Sequence, residues 1–190
     1  GLRESECFAL TWSDIDFEKK KIKVCKQLLY QDKQWCFAPL KTVNSYRSVN
    51  ITAEFAQYLA DMKMQHDAER KLYGDGYKRN FVTDRREPKK EKIIEVPDFI
   101  NVKANGEMLT TNGAKFLARI IKKDLGIHFK FHNLRHTYAT VLAENGLNPR
   151  YVQEMLGHSK LEFTLRYYTH ITEKMSDAAE NALTAAFRFD

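Results

Sequence analysis

Five of the six histidines of this 190-residue chain, His128, His132, His136, His158 and His170, lie in one stretch, together with Arg135 and the neighbours Tyr167 and Tyr168. Carboxylates are few in that stretch. A guanidinium fork can hold a phosphate through two parallel hydrogen bonds, imidazoles can share or move protons, and a phenol can be a nucleophile. The mixture suits a site that handles an anion without a metal. His132 and His136 have the i,i+4 spacing of a zinc-binding helix, but Asn133 stands where that motif needs glutamate. A two-metal transposase would need a cluster of acids, which this stretch lacks.

The elements that must position these groups can be read from caps and stops. Asn133 is a candidate N-cap for a helix over residues 134–144, with an apolar stripe of Leu134, Tyr138, Val141 and Leu142 and an end at Asn145 and Gly146. That places Arg135 in the first turn and His132 just outside it, where a phosphate would also meet free backbone N–H groups. Asn148 and Pro149 open a short helix that Gly157 closes, so His158 is aimed by a turn and not by a helix face. Ser159 and Glu162 form a capping-box pattern for a further short helix from Lys160, carrying Tyr168 near its end.

Upstream, Cys7, Phe8, Ala9, Leu10 and Trp12 predict a helix ending near Ser13. Residues 20–51 change to a period of two: Ile22 and Val24, then Trp35, Phe37 and Pro39, then Tyr46, Val49 and Ile51. Turns at residues 31–33 and 42–45 would join these runs into a three-stranded antiparallel sheet, with Lys41 at the second turn. Thr52 caps a helix to about Lys71, with Phe55, Leu59 and Met62 inward. Residues 73–98 are the most loop-like part, a solvated connector or a basic loop facing a polyanion. Thr111 caps a helix through Phe116, Leu117, Ile120 and Ile121 that stops at Gly126. Residues 173–187 space Met175, Ala178, Ala179, Ala182, Leu183, Ala186 and Phe187 as one face of an amphipathic helix.

In bulk the chain is 43% hydrophobic with a formal net charge of +6, which favours a polyanionic partner. Cys7, Cys25 and Cys36 have no metal-ligand spacing and read as reduced, packed thiols. The sequence shows no signal peptide and no apolar run long enough for a membrane span, so a cytoplasmic protein with no membrane partner is expected.

The strings His132-Asn133-Leu134-Arg135-His136-Thr137, Leu156-Gly157-His158-Ser159 and Thr164-Leu165-Arg166-Tyr167-Tyr168-Thr169-His170, in that order, resemble the motifs of the tyrosine recombinase (phage integrase) family. Gly1-Leu2-Arg3 with Glu6, Leu10, Trp12 and Asp14-Ile15-Asp16 resembles the same family's first arginine motif. The resemblance covers nearly the whole chain. It implies an α+β catalytic domain, mostly helical with a small three-stranded antiparallel sheet. It also implies that residues 1–190 lack the domain's first helices and a separate N-terminal DNA-binding domain, and that residues 172–190 form a terminal helix packing on its own domain or in a neighbouring protomer.

The function the resemblance implies is site-specific cutting and rejoining of double-stranded DNA through a 3′-phosphotyrosine link, for a prophage or other mobile element. Arg3 and Arg135 would hold the scissile phosphate, with Glu6 in support. Lys41 would protonate the leaving 5′-oxygen, and His132 and His158 would assist. Tyr168 would be the nucleophile, preferred to Tyr167 because it gives the family's Y-x-H ending. Taken alone, Arg3 and Glu6 are an exposed i,i+3 ion pair and Lys41 a solvated turn residue. No cofactor and no metal are implied, and the partners would be a homo-oligomer, a tetramer on DNA, with accessory DNA-bending or excision factors. The alternatives are a noncatalytic DNA-binding relative and type IB topoisomerase-like cleavage, although that class prefers lysine where His158 stands.

Overall fold

A computed structural model of the chain describes residues 1–168, 180, 183 and 184. Its helices are α1 (Glu4–Cys7), α2 (Ala53–Tyr73), α3 (Thr111–Leu125), α4 (Phe131–Glu144), α5 (Pro149–Leu156) and α6 (Leu161–Leu165). Its strands are β1 (Ile15–Asp16), β2 (Lys21–Val24), β3 (Gln27–Gln31), β4 (Gln34–Ala38), β5 (Arg47–Asn50), β6 (Phe81–Asp84) and β7 (Lys92–Glu95).

The α+β class holds, and the strands divide into two sheets. A three-stranded antiparallel sheet runs β1-β2-β5, with Ile22 opposite Val49. A second sheet runs β3-β4-β6-β7, antiparallel except for the parallel pair β4 and β6. The chain reverses between β3 and β4 at Asp32 and Lys33, both at positive φ (50° and 63°), as a tight two-residue hairpin requires. The three runs expected to form one sheet therefore do not do so. Ile22 and Val24 pair with the run around Val49, while Trp35 and Phe37 belong to the other sheet. The apolar faces explain the split: Ile22, Val24 and Val49 pack with Leu10, Leu40 and Leu59, whereas Leu28 and Phe37 pack with Phe8, Val82 and Phe99.

Residues 73–98, read as a loop, supply β6 and β7 to that second sheet. Val82 and Val96 are buried there, and the surrounding charges are paired as Arg79–Glu95, Arg85–Glu91 and Arg86–Asp84. A charged run concealed a short apolar alternation. Similarly, the predicted helix at Cys7–Trp12 is only α1, followed by a 3-10 turn at Trp12–Asp14. Phe8 and Ala9 enter one core cluster and Leu10 the other, which a continuous helix face could not arrange. In α2, Thr52 caps as expected, accepting from the Phe55 N–H at 3.2 Å, but Ala56 and Leu59 are the buried residues and Phe55 is exposed.

Helix α4 starts three residues earlier than predicted, at Phe131 instead of Leu134. Lys130 is the extended N-cap and Asn133 lies inside the first turn, its N–H bonded to the Lys130 carbonyl. Phe131 explains the shift: its ring meets Phe8 at 6.0 Å between centroids and anchors the helix start on the core. The buried face is Arg135, Ala139 and Ala143, while Leu134 and Val141 are exposed. The alanines let α5 approach closely, and Val152 and Leu156 fill that seam. Helix α5 matches expectation: the Asn148 side chain accepts from the Arg150 N–H, Pro149 is first, and Gly157 ends it at φ +66°. Helix α6 begins after Lys160 and ends at Leu165, so Tyr168 lies in the turn beyond it. Among the described residues no helix is long and apolar enough to cross a membrane. The expected helix at residues 173–187 and His170 lie outside the described residues, apart from Glu180, Leu183 and Thr184, which are helical.

Candidate functional site

An α-helix ends with four carbonyls that lack intrahelical partners and carry partial negative charge. At the end of α5 each has a partner. The backbone N–H of His158 donates to the Gln153 carbonyl, and that of Gly157 to the Glu154 carbonyl. The next three carbonyls each accept from a different arginine. Met155 accepts from Arg47 Nε at 2.8 Å, Leu156 from Arg135 Nη2 at 2.6 Å, and Gly157 from Arg3 Nη2 at 3.0 Å. Three guanidinium groups from three distant stretches thus meet immediately before His158.

Glu6, 1% exposed, is the carboxylate at their centre. Its Oε1 accepts from Arg3 Nη1 at 2.7 Å, and its Oε2 accepts from the Arg3 backbone N–H and Arg47 Nη2, both at 2.9 Å. Burial alone would raise its pKa, but the hydrogen bond and charge of Arg47, with those from Arg3, hold it below the ordinary carboxylate range. Arg135 is 3% exposed. Its second bond runs from Nη1 to the Gly1 carbonyl at 2.6 Å. Burial first, then the charges of Arg3 and Arg47, push Arg135 down to about 10, so it remains a cation at neutral pH. Its guanidinium bonds to carbonyls on the α5 seam and does not sit at the α4 N-terminus, and His132 lies in the first turn of α4 and not before it.

His158 is half-buried, with Nδ1 2.9 Å from the fully buried Thr164 hydroxyl. Its pKa falls to about 4, through burial first and then through Arg135, Arg3, Arg47 and His132. At neutral pH it is an uncharged imidazole that can still donate one proton. His132 is lowered by burial, then by His136, Arg135 and Arg3, and its ring meets that of His136 edge-on at 4.4 Å. The Tyr167 hydroxyl lies 2.6 Å from His136 Nδ1, and its ring lies parallel to that of His158 at 6.5 Å. Burial raises the Tyr167 phenol, and the charge of Arg135 offsets part of that.

The structure therefore brings together Arg3, Glu6, His132, Arg135 and His158. Lys41 is exposed, on the segment between β4 and β5 whose far end, Ser45, is buried against Arg3 and Arg47. A cleft of about 430 Å³ separates Val43, Asn44, Tyr46 and Arg47 from Gln153, Glu154 and His158. Tyr168 is not at the cluster. It is 9% exposed, packs with Ala139, Ala143, Val152 and Leu156, and donates its hydroxyl to the Leu147 carbonyl. Sequence reasoning passed over Arg47, Ser45, Thr164 and the placement of Tyr167. An arginine opening a strand reads as a solvated charge, and the Arg47 partners Glu6 and Met155 are 41 and 108 residues away.

Phosphate chemistry fits this arrangement: several cations share one carboxylate, donors converge, and a neutral imidazole stands beside them. Comparison with known proteins agrees. The phage integrase family matches residues 1–175. A tyrosine recombinase XerC-like protein of Caldanaerobacter subterraneus subsp. tengcongensis is 33% identical, covering 98% of this chain and 47% of the relative. The transposase from transposon Tn916 of Enterococcus faecalis is 29% identical over 90% of this chain and 40% of its own length. The integrase of transposon Tn1549, solved in complex with transposon right end DNA, superposes with a TM-score of 0.72 at 26% identity, covering 96% of this chain and 55% of that one. The chain spans about half the length of the curated relatives it matches.

Proposed function

Because the chain belongs to the phage integrase family of tyrosine recombinases, we propose that it cuts and rejoins double-stranded DNA at specific sites through a 3′-phosphotyrosine intermediate. Arg3 and Arg135 hold the non-bridging oxygens of the scissile phosphate, where negative charge builds during attack, and their bonds strengthen as it builds. The Tyr168 oxygen attacks phosphorus and its proton passes to His132. The bond from phosphorus to the 5′-oxygen breaks as Lys41 protonates that oxygen, and His158 donates to a non-bridging oxygen. An incoming 5′-hydroxyl reverses the sequence. The phosphotyrosine bond conserves the energy of the broken linkage, so no nucleotide cofactor enters.

The observation that carries this reading is the meeting of Arg3, Arg135 and His158 at the end of α5, with Arg3 bonded to a carbonyl 154 residues away. Tyr168 must leave its bond to the Leu147 carbonyl to reach them, and the turn after α6 is the segment that would rotate. Tyr167, already between His136 and His158, is the second candidate nucleophile. The partner is double-stranded DNA bound mainly through phosphates, by a homo-oligomer in the cytoplasm. The element served is a transposon or prophage, in keeping with the Tn916 and Tn1549 relatives.

The test expresses the whole open reading frame and presents a randomised pool of nicked duplexes, from which covalent protein–DNA adducts are selected. Peptide mapping should place the adduct on Tyr168, and Tyr168→Phe should abolish it while duplex binding persists. An adduct on Tyr167 would reassign the nucleophile. Equal binding by both proteins with no adduct from either would make this a noncatalytic DNA-binding relative.

A further inference from the structure

Arg47 opens β5 with a side chain only 5% exposed. It donates in three directions: Nε to the Met155 carbonyl at 2.8 Å, Nη1 to the Ser45 carbonyl at 2.9 Å, and Nη2 to Glu6 Oε2 at 2.9 Å. Each acceptor lies on a stretch that carries a different site residue. Glu6 also grips Arg3 through both its backbone N–H and its guanidinium. Ser45 closes the segment that begins at Lys41, and its hydroxyl lies 2.9 Å from that of Thr42. Met155 stands one turn before His158. Gly157 presses against the same joint: a Cβ there would come within 3.0 Å of the Asn44 carbonyl and 3.1 Å of Arg47 Nη1.

With Nε, Nη1 and Nη2 each already donating to a protein acceptor, the influence of Arg47 runs through the groups it holds. Its planar fork matters as much as its charge. A lysine ammonium keeps the charge but offers it from one nitrogen at the end of a flexible stem, which cannot span three acceptors on three elements.

We propose that Arg47 is a positioning residue for strand cleavage, one buried guanidinium that fixes Arg3, the Lys41 segment and His158 relative to one another. The proposal rests on the recombinase reading of this site. Misplacing reacting groups by roughly 1 Å costs on the order of 10²-fold in rate. The loss should fall on the chemical step more than on duplex affinity, because the bonds of Arg3 and His158 to the scissile phosphate are those that strengthen as charge builds in the transition state.

The test compares the parent, Arg47→Lys and Lys41→Ala as full-length proteins on the duplex recovered from the adduct selection. Each is assayed with an ordinary scissile linkage and with a 5′-bridging phosphorothiolate, whose thiolate departs without a proton. Arg47→Lys should melt cooperatively, bind within about threefold of the parent, and cleave the ordinary linkage on the order of 10²-fold more slowly at saturation. The sulfur linkage should recover only part of that loss, since Arg3 and His158 are displaced along with Lys41. Parent-like cleavage by Arg47→Lys would overturn the proposal, as would a loss confined to affinity. If Arg47→Lys fails to fold, Glu6→Gln loosens the same joint while keeping its shape, and parent-like cleavage by that variant overturns the proposal equally. Failure of the sulfur linkage to rescue Lys41→Ala would instead refute Lys41 as the proton donor. The rate ratio of Arg47→Lys to parent on the ordinary linkage would still decide the role of Arg47.

Discussion

Among the described residues two places that bury cations have opposite charge balances. Lys26, 7% exposed, pairs with Asp14, also 7% exposed, and donates to the Thr11 hydroxyl at 3.1 Å. One ammonium meets one carboxylate, and the pair is complete. At the end of α5, Arg3 and Arg47 share the single carboxylate of Glu6, Arg135 beside them bonds to carbonyls alone, and the remaining acceptors are carbonyls and the Ser45 hydroxyl. Carbonyls satisfy hydrogen bonds without neutralising charge. The depressed values of Arg135, about 10, and His158, about 4, register both the burial and the positive potential left behind. A balanced buried pair holds the fold together, whereas an unbalanced one has capacity for an anion.

The contrast can be broken most sharply at Lys26. Lys26→Met strands the buried Asp14 and should cost about 3–5 kcal/mol of stability by chemical denaturation. Adding Asp14→Asn should return most of that, and adduct formation per folded molecule should not change. Arg135→Lys should weigh the other way, cutting the cleavage rate by about 10²–10³-fold, with a stability cost of about 1–3 kcal/mol from the buried carbonyl left unpaired. If the two variants exchanged these effects, the division between structural and functional cations would be wrong.

Gly157→Ala should cost about 1–3 kcal/mol, because alanine is strained at φ +66° and its Cβ would meet the Asn44 carbonyl. Cleavage should slow with it, since the same shift moves His158.

The smallest effect is in pH. The folded value of His158, about 4, lies below the ordinary imidazole value near 6.5. Between those limits the unfolded chain takes up a proton that the folded chain refuses, so stability falls as pH drops through that window and levels off below it. His132 and His66 are also lowered, chiefly by burial, and act in the same direction. Denaturation midpoints measured from pH 7 to 4 should show the decline, and His158→Gln should flatten part of it. A parent-like slope in that variant would remove His158 from the account.

Local chemistry was legible in the sequence wherever neighbours in the chain decide it. Asn148, Pro149 and Gly157 delimited α5 and placed His158 in the turn beyond it, because caps, proline and a left-handed glycine act within a few residues. The α+β class and the family followed from motifs that stay intact as strings. Partner choice across the fold was not legible. Whether Ile22 pairs with Phe37 or with Val49 depends on which apolar face each strand shares, and the start of α4 depends on Phe131 meeting Phe8. Arg47 looked like any charged residue beside a strand. Only folding brought Glu6, Ser45 and Met155 within reach of one guanidinium, because hydrogen bonds act over about 3 Å while those residues are spread along most of the chain.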